Sequence, residues 1–229
     1  HAGILVGPAQ RERLAFHDEP RRAPDFLRQF GLTQAEIDAF KVSLFCYPHA
    51  PVAELFAAWQ EGGERVTCLV PEGVAAQAVQ AFLGTEARAG AAATHGALTV
   101  RVLPFVPQPD YDRLLWCCDL NFVRGEDSWV RAQWAGKPFV WHIYPQDENL
   151  HHKKLRAFLE RYAPDIDSVQ AVMLQWNGAA VEAADWPALW SALRADGARI
   201  AARSEAWHAE MASHGDLATN LLAFVASLR

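Results

Sequence analysis

The sequence predicts a doubly wound α/β domain, and three observations on the 229-residue chain support this fold class. Short apolar segments alternate with amphipathic segments of helical spacing between residues 41 and 143. The loops between them are short, so the strands are expected to run parallel, with helices covering both faces of the sheet. Beyond Tyr144 only helical patterns follow.

Five strands are expected in the first part of the chain, at residues 42–47, 66–70, 98–105, 120–123 and 138–143. The connecting helices are expected at residues 51–60, between Pro71 and about Gly84, and at residues 109–118 and 127–134. Gly62 and Gly63 end the first of these helices. Residues 87–96 are mostly small, and this composition predicts a loop.

Four helical patterns make up the rest of the chain, at residues 150–162, 167–175, 186–195 and about 200–229, the last interrupted at Gly215. Residues 216–229 carry an apolar face formed by Leu217, Leu221, Leu222, Phe224, Val225 and Leu228. A helix with such a face has to bury it, and we expect it to pack on a part of the protein outside this chain.

Residues 1–40 are interpreted as connecting material, because they contain two short helical patterns and no strand pattern of useful length. The second helix begins after Thr33, with Glu36 in capping-box spacing. The chain starts at His1, without an initiator Met or a signal-peptide pattern, which indicates the interior of a longer protein.

The composition, with 51% hydrophobic and 21% charged residues, is that of a folded globular domain. No apolar stretch approaches the ~18 residues that a membrane-spanning helix needs, so no membrane role is expected. The formal net charge of −6 disfavours non-specific binding to nucleic acid or to anionic lipid. A small anionic ligand remains compatible with a local site.

The four cysteines, Cys46, Cys68, Cys117 and Cys118, form no C-x-x-C pair and lie in apolar surroundings. Buried, reduced thiols of a cytoplasmic protein are the expected reading, with a disulfide or a metal site as the alternative. Among nine histidines only His151 and His152 are adjacent, and no H-E-x-x-H run occurs, so no metal site is expected. The G-x-G-x-x-G, P-loop and G-x-S-x-G patterns are also missing from the sequence.

The junction LNFVRGEDSW, residues 120–129, is the richest candidate site. Arg124 adds a cation after the strand, Gly125 permits a tight turn, and Asp127 or Ser128 can cap the next helix. Ligands of doubly wound sheets bind where strands end and helices begin, and a helix N-terminus suits a diphosphate. Glu126 could accept hydrogen bonds from ribose hydroxyls. The alternative is an ordinary capped helix with solvated charges.

A second candidate is LPFVPQPDY, residues 103–111, in which three prolines stiffen the chain after a strand. They hold Phe105, Gln108 and Tyr111, whose rings and amide could stack on and hydrogen-bond a flat base. The alternative is a rigid surface connection. The segments FCYPHAP and IYPQDEN also follow strands, and in a parallel sheet all four strand ends would converge on one cleft.

These residues also carry a family resemblance. The block from PFVPQPDYDRLLWCCDLNFVRGEDSW to VRAQWAGKPFVWHIYPQDENLHHKKLRAFLERY resembles the C-terminal half of the bacterial protein-arginine rhamnosyltransferases that modify translation elongation factor P, the EarP family. The resemblance extends from about Val42 to the C-terminus.

The resemblance implies a GT-B glycosyltransferase with two Rossmann-like domains, located in the cytoplasm. Its C-terminal domain binds dTDP-β-L-rhamnose, and L-rhamnose is transferred with inversion to an arginine of the elongation factor, without metal or cofactor. On this reading, residues 41–212 form the nucleotide-sugar-binding domain and residues 213–229 a helix that packs on the missing N-terminal domain. Residues 1–40 would be the connector and a remnant of that domain.

The donor-site residues implied by the resemblance are Phe45, Tyr47, Phe105, Gln108, Tyr111, Arg124, Gly125, Glu126, Asp127 and Ser128. Phe105, Gln108 and Tyr111 would hold thymine and ribose. The backbone amides of Asp127 and Ser128 would bind the diphosphate. Glu126 would bind ribose hydroxyls or orient the donor, and it is the one catalytic candidate within the chain.

One family feature has no counterpart here. The family carries an acidic N-terminal loop resembling V-D-N-F-G-D, whose aspartate is the expected base, and Asp18, Asp25 and Asp38 do not match it. We therefore expect the chain to bind the donor without catalysing transfer alone. The alternatives are a non-catalytic nucleotide-binding or interaction module and a GT-B transferase with a different donor.

Overall fold

A computed structural model of the chain describes residues 6–19, 21–182 and 185–228. Residues 1–5 of the predicted connecting segment and Arg229 of the predicted last helix lie outside these ranges. The described strands are β1 (Phe40–Leu44), β2 (Val66–Pro71), β3 (Ala92–His95), β4 (Leu98–Leu103), β5 (Leu120–Arg124) and β6 (Phe139–His142).

In the same ranges three helices precede β1, single helices connect the strands of the parallel sheet, and only helices follow β6. The helices are α1 (Val6–His17), α2 (Arg22–Arg28), α3 (Gln34–Asp38), α4 (Val52–Glu61), α5 (Ala76–Leu83), α6 (Gln108–Cys117), α7 (Asp127–Ala135), α8 (Leu150–Tyr162), α9 (Asp167–Trp176), α10 (Trp186–Ala195), α11 (Gly197–Ser213) and α12 (Leu217–Ser227).

The six strands of the described residues form one sheet in the order β3-β4-β2-β1-β5-β6. Strands β4, β2, β1, β5 and β6 are parallel, as predicted, and the chain reverses its direction of travel across the sheet between β1 and β5. This reversal is the topological switch point, where the loops after the two strands diverge and leave a crevice. The α/β, Rossmann-like fold class is therefore confirmed.

The prediction of a loop over residues 87–96 is wrong at its end, where β3 pairs antiparallel with β4. The β3 strand is an exposed edge built from small and polar residues, so its sequence shows no apolar alternation. Its partner β4 begins after a tight turn at Gly96, which has φ +56°. A Cβ at Gly96 would lie 2.2 Å from the carbonyl oxygen of Gln60, so only glycine fits this turn.

Helices cover both faces of the sheet, as the contacts of two neighbouring β5 residues show. Neighbouring residues of a strand point to opposite faces. The Asn121 amide donates to the Leu115 carbonyl oxygen of α6 and accepts from the Ser43 hydroxyl. The Phe122 ring contacts Trp59 of α4 and Trp176 of α9 on the other side.

All four cysteines are buried and free, as predicted, and burial raises the pKa of Cys46 and of Cys117 to about 12.

The described part of the connecting segment packs on the sheet domain. It holds three helices rather than the two predicted, and the Phe16 ring lies 5.4 Å from that of Trp116. The predicted capping box is confirmed: the Glu36 N–H donates to Thr33 Oγ1, and the Thr33 N–H donates to the Glu36 carboxylate. The same carboxylate accepts two hydrogen bonds from Arg101 of β4.

The last predicted helical stretch is divided into α11 and α12 by a turn at residues 214–216, with Gly215 at φ +68°. Helix α12 buries none of its side chains against the described residues. The six apolar side chains named for it are all exposed, by 46–71%. No helix in the described ranges is long and apolar enough to cross a membrane.

Candidate functional site

The candidate site lies at the switch point, where β1 ends at Leu44 and its neighbour β5 ends at Arg124. The loop after β1 leads to α4, and the turn after β5 leads directly to α7. The crevice between such diverging loops is the usual ligand position in this class of sheet. Seven of the ten predicted site residues lie in these two connections or at the ends of β5 and α7 that flank the second one: Phe45, Tyr47, Arg124, Gly125, Glu126, Asp127 and Ser128.

Arg124 binds the loop after β1 instead of offering a free cation to the helix terminus. Its Nη1 donates to the carbonyl oxygen of Cys46 at 3.1 Å. The guanidinium carbon lies 4.2 Å from the ring centre of Phe45 and 5.2 Å from that of Tyr47, which are cation–π distances. Arg124 therefore fixes the two aromatic residues of the β1 loop.

Gly125 forms the turn between β5 and α7 with φ +60°, as its position in the sequence predicts. Its N–H donates to the His142 carbonyl oxygen at 3.0 Å, and its own carbonyl oxygen accepts from Trp141 Nε1 at 2.7 Å. A Cβ here would lie 2.8 Å from the phenolic oxygen of Tyr47. Glycine thus permits both the turn and the close approach of Tyr47.

The N-terminus of α7 is not capped as predicted. Glu126 is the N-cap residue and makes no side-chain cap. Ser128 instead accepts from the Arg124 N–H and donates to the Arg124 carbonyl oxygen, and the Asp127 carboxylate pairs with Arg131 at 2.9 Å. The helix begins one residue earlier than a capping role for Asp127 requires, and two residues earlier than a capping role for Ser128 requires.

The first backbone hydrogen bond of α7 joins the Val130 N–H to the Glu126 carbonyl oxygen. The N–H groups of Glu126, Asp127 and Ser128 consequently have no backbone acceptor among the described residues. Together with the positive end of the helix dipole, they form an environment that stabilises an anion. Two of them, the N–H groups of Asp127 and Ser128, are those to which the family resemblance assigns the diphosphate.

Arg131 connects α7 to α6, because Asp112 of α6 accepts two hydrogen bonds of 2.9 Å from Nη1 of Arg131. Burial raises the pKa of Asp112, although Arg131 opposes the shift. Tyr111, next to it, packs its ring 6.0 Å from that of Phe45. The Tyr111 hydroxyl is buried without a hydrogen-bond partner among the described residues. Burial raises the pKa of Tyr111.

Phe105 and Gln108 stand apart from this contact network. Phe105 lies in the loop after β4 and is 88% exposed. Gln108 is the first residue of α6, exposed, and one helical turn before Tyr111. Neither makes a hydrogen bond or a ring contact with another described site residue, so both side chains are available to a ligand.

A cavity of about 1060 Å³ opens at the switch point and extends along α7, α8 and α11. Tyr47, Gly125, Glu126 and Asp127 line its sheet end. Its far walls are largely aromatic, with Trp129, Trp141, Phe158 and Trp207, and two cations, Lys154 and Arg161, lie at its side. The Glu126 side chain is exposed, and it forms no ion pair with a described residue. Pockets of this size hold small-molecule ligands.

Sequence reasoning missed the residues that support Tyr47. Its backbone N–H donates to His142 Nδ1 at 3.2 Å, and His142 Nε2 lies 2.9 Å from His49 Nε2. The segments FCYPHAP and IYPQDEN indicated that these strand ends converge, but nothing in the sequence pairs two imidazoles 93 residues apart.

In the part of the chain that the structure describes, no group of three or more His, Cys, Asp or Glu side chains could hold a metal ion.

Comparison with known proteins gives consistent results. Residues 2–226 match a family model described as Elongation-Factor P (EF-P) rhamnosyltransferase EarP. The chain is 40% identical over 219 residues to a protein-arginine rhamnosyltransferase of Pseudomonas putida, covering 94% of this chain and 57% of the relative. A Pseudomonas aeruginosa protein of the same name is 39% identical over 231 residues, covering 98% and 59%.

A solved structure from work on EarP-mediated arginine glycosylation of translation elongation factor EF-P is also similar. It superposes with a TM-score of 0.82 at 36% identity and covers 96% of this chain and 71% of that chain. The chain therefore spans somewhat more than half the length of the curated relatives it matches.

Proposed function

Because this chain belongs to the EarP family of elongation factor P rhamnosyltransferases, we propose that it is the donor-binding part of an enzyme that transfers L-rhamnose from dTDP-β-L-rhamnose to an arginine of elongation factor P. The transfer inverts the configuration at the sugar carbon and uses no metal or cofactor. The observation that carries the proposal is the uncapped N-terminus of α7, which opens onto the 1060 Å³ cavity at the switch point.

Donor binding divides between two loops. Phe105 and Gln108 extend from the stiff β4–α6 connection, where an exposed ring and an amide would stack on and hydrogen-bond thymine. Tyr111, one helical turn later, packs instead on Phe45 of the loop after β1. The amides at the start of α7 would bind the diphosphate. Glu126 lines the cavity with a free carboxylate, which would accept a hydrogen bond from the 3′-hydroxyl of the deoxyribose.

Chemistry follows from the same placement. The bond between the sugar carbon and the β-phosphate oxygen breaks while an arginine nitrogen forms a bond to that carbon from the opposite side. Negative charge develops on the departing dTDP, and the N–H groups and dipole of α7 would stabilise it. A field supplied by the helix terminus makes a metal unnecessary for this step.

The acceptor guanidinium is cationic and weakly nucleophilic, so transfer needs a carboxylate that accepts its proton. Asp25 pairs with Arg28, and Asp38 accepts from Gln34, both on exposed helices away from the cavity. Asp18 does not line the cavity either. Of the two carboxylates that line the cavity, Asp127 pairs with Arg131, and Glu126 is assigned to the donor. We therefore propose that the base lies outside this chain and that residues 41–212 bind the donor without catalysing transfer alone.

Mass spectrometry of elongation factor P tests this division. Elongation factor P is incubated with dTDP-β-L-rhamnose and either this chain or the full-length Pseudomonas putida relative. The proposal predicts rhamnosyl arginine with the full-length relative only. Rhamnosylation by the chain alone would refute the missing-base proposal, and no modification by either would argue against the substrate pair.

We further propose that the enzyme acts in the cytoplasm, where translation factors are found, and that α12 packs on a part of the protein outside this chain. The six exposed apolar side chains of α12 support the second proposal, because exposed patches of this kind mark contact surfaces. Amide exchange in α12 should be slower in the full-length relative than in this chain. Equal exchange rates would refute the packing.

A further inference from the structure

We propose that His49 binds the donor diphosphate through its Nδ1–H group and that His142 holds His49 in the tautomer that presents this hydrogen. The proposal rests on the proposed function, because it assumes a nucleoside diphosphate in the crevice. It adds a second contributor to diphosphate binding, from the loop after β1, to the amides of α7 after β5.

The proton arrangement of His142 follows from its backbone neighbour. A backbone N–H can only donate, so the Tyr47 N–H, 3.2 Å from His142 Nδ1, requires a lone pair on that nitrogen. His142 is 1% exposed, and burial, with His49, Arg124 and His151 nearby, lowers its pKa to about 3. The ring is therefore neutral, and its one hydrogen is on Nε2.

The hydrogen on His142 then determines the tautomer of His49. His142 Nε2 is 2.9 Å from His49 Nε2, and because the first nitrogen donates, the second has to accept. A neutral His49 in this position carries its hydrogen on Nδ1. The two rings also meet at 72°, with centres 4.6 Å apart, so the pair is held by packing as well as by the hydrogen bond.

This chain of hydrogen bonds cannot pass a proton inward, because it ends at an amide N–H that is already protonated. The pair provides orientation, because the hydrogen bond from His142 to His49 Nε2 leaves Nδ1 as the donor atom of His49. A neutral donor suits a diphosphate oxygen, which only accepts hydrogen bonds.

His49 is not itself a cavity-lining residue, but it lies next to one, Tyr47. His49 lies exposed in the turn between β1 and α4, and its ring is parallel to that of Tyr47 at 6.0 Å. Tyr47 in turn contacts the turn at Gly125 and lines the cavity. No hydrogen bond of His49 Nδ1 to a described residue is present, so this group is available to a ligand.

Two measurements on the chain test the proposal. The ¹⁵N spectra of the histidine rings should show hydrogen on Nε2 of His142 and on Nδ1 of His49, and addition of dTDP should shift the Nδ1 signal of His49. The opposite tautomer at His49, or an unmoved signal while dTDP binds, would overturn the proposal.

The second measurement is calorimetric titration of His49→Phe with dTDP. Phenylalanine keeps the ring and removes the donor, so affinity should fall about 10-fold, the usual effect of one hydrogen bond to a charged group. His214→Phe, at an exposed histidine after α11, should bind like the wild type. Wild-type affinity in His49→Phe would overturn the inference alone, whereas no binding of dTDP by the wild type would refute the proposed donor as well.

Discussion

A Cβ atom on Gly125 would lie 2.8 Å from the phenolic oxygen of Tyr47, although the two residues belong to loops that leave different strands. This approach brings the end of β5 against the end of β1 at the switch point. Tyr47 keeps its position because His142 binds its backbone and Arg124 lies against its ring. The geometry of the candidate site therefore depends on the absence of a side chain at position 125.

Replacing Gly125 with Ala should damage the site more than the fold. The methyl group forces the Tyr47 side chain to move, so we expect dTDP affinity to fall at least 10-fold. The left-handed backbone adds a stability loss of about 1 kcal/mol. Gly84→Ala is the matched control: Gly84 has φ +67° with nothing within 4 Å of a Cβ. It should lose similar stability and bind dTDP normally, and equal binding by both variants would contradict the account.

Replacing Phe105 with Ala should weaken nucleotide binding without changing the melting temperature. The side chain is 88% exposed, so its removal costs no packing. Stacking of a base on an aromatic ring contributes roughly 1–3 kcal/mol, which predicts a loss of about 5-fold or more in dTDP affinity. Val181→Ala, at a residue 98% exposed, provides the control. Unchanged affinity in Phe105→Ala would remove thymine stacking from the proposal.

Replacing Glu126 with Ala should lower dTDP affinity about 10-fold, since a charged acceptor of a hydrogen bond is lost. The chemical denaturation midpoint should stay the same, because this side chain neither caps α7 nor forms an ion pair with a described residue. Glu160→Ala, on the exposed surface of α8, controls for the change in net charge. If Glu126→Ala unfolds the domain, the residue has a structural role that we have not assigned.

The stability of the fold should depend on pH through His142. Its pKa falls from 6.5 to about 3 on folding, chiefly because of burial. Below pH 6.5, His142 is therefore protonated in the unfolded chain, whereas in the folded chain it stays neutral down to about pH 3. The stabilising contribution is complete above pH 6.5 and declines as pH falls, by about 1.4 kcal/mol per pH unit.

Urea unfolding at pH 7 and pH 5 measures this contribution. The free energy of unfolding of the wild type should fall by about 2 kcal/mol more than that of His142→Asn, which has no titrating group at this position. The comparison is between the two pH values within each protein, so a general loss of stability in the variant does not affect it. Equal losses would show that His142 is not held neutral.

Local sequence patterns predicted the elements that bury an alternating or periodic apolar face. The predicted bounds of α8 and α10, residues 150–162 and 186–195, match the structure, because apolar residues at helical spacing face the core along both helices. Strand β3 escaped prediction because Ala92–His95 is an exposed edge of small residues, whose pairing depends on β4 and on the turn at Gly96.

The sequence predicts where the candidate site lies but not the contacts between its residues. Strand ends bearing aromatic and polar residues indicated the crevice, and Gly125 was recognised as the turn. The inward orientation of Arg124 and the Ser128 contact with the strand backbone depend on which loops face each other, and sequence alone does not give that arrangement. The pairing of His49 with His142 has the same origin.

The most direct test of the account is calorimetric titration of this chain with dTDP, UDP and GDP under one set of conditions without added metal. The account predicts saturable binding of one dTDP per chain, because one helix N-terminus, that of α7, opens onto the cavity, and weaker binding of UDP and GDP. If none of the three nucleotides binds, the result would contradict donor binding and favour an interaction module. Preference for UDP or GDP would contradict dTDP-rhamnose as the donor.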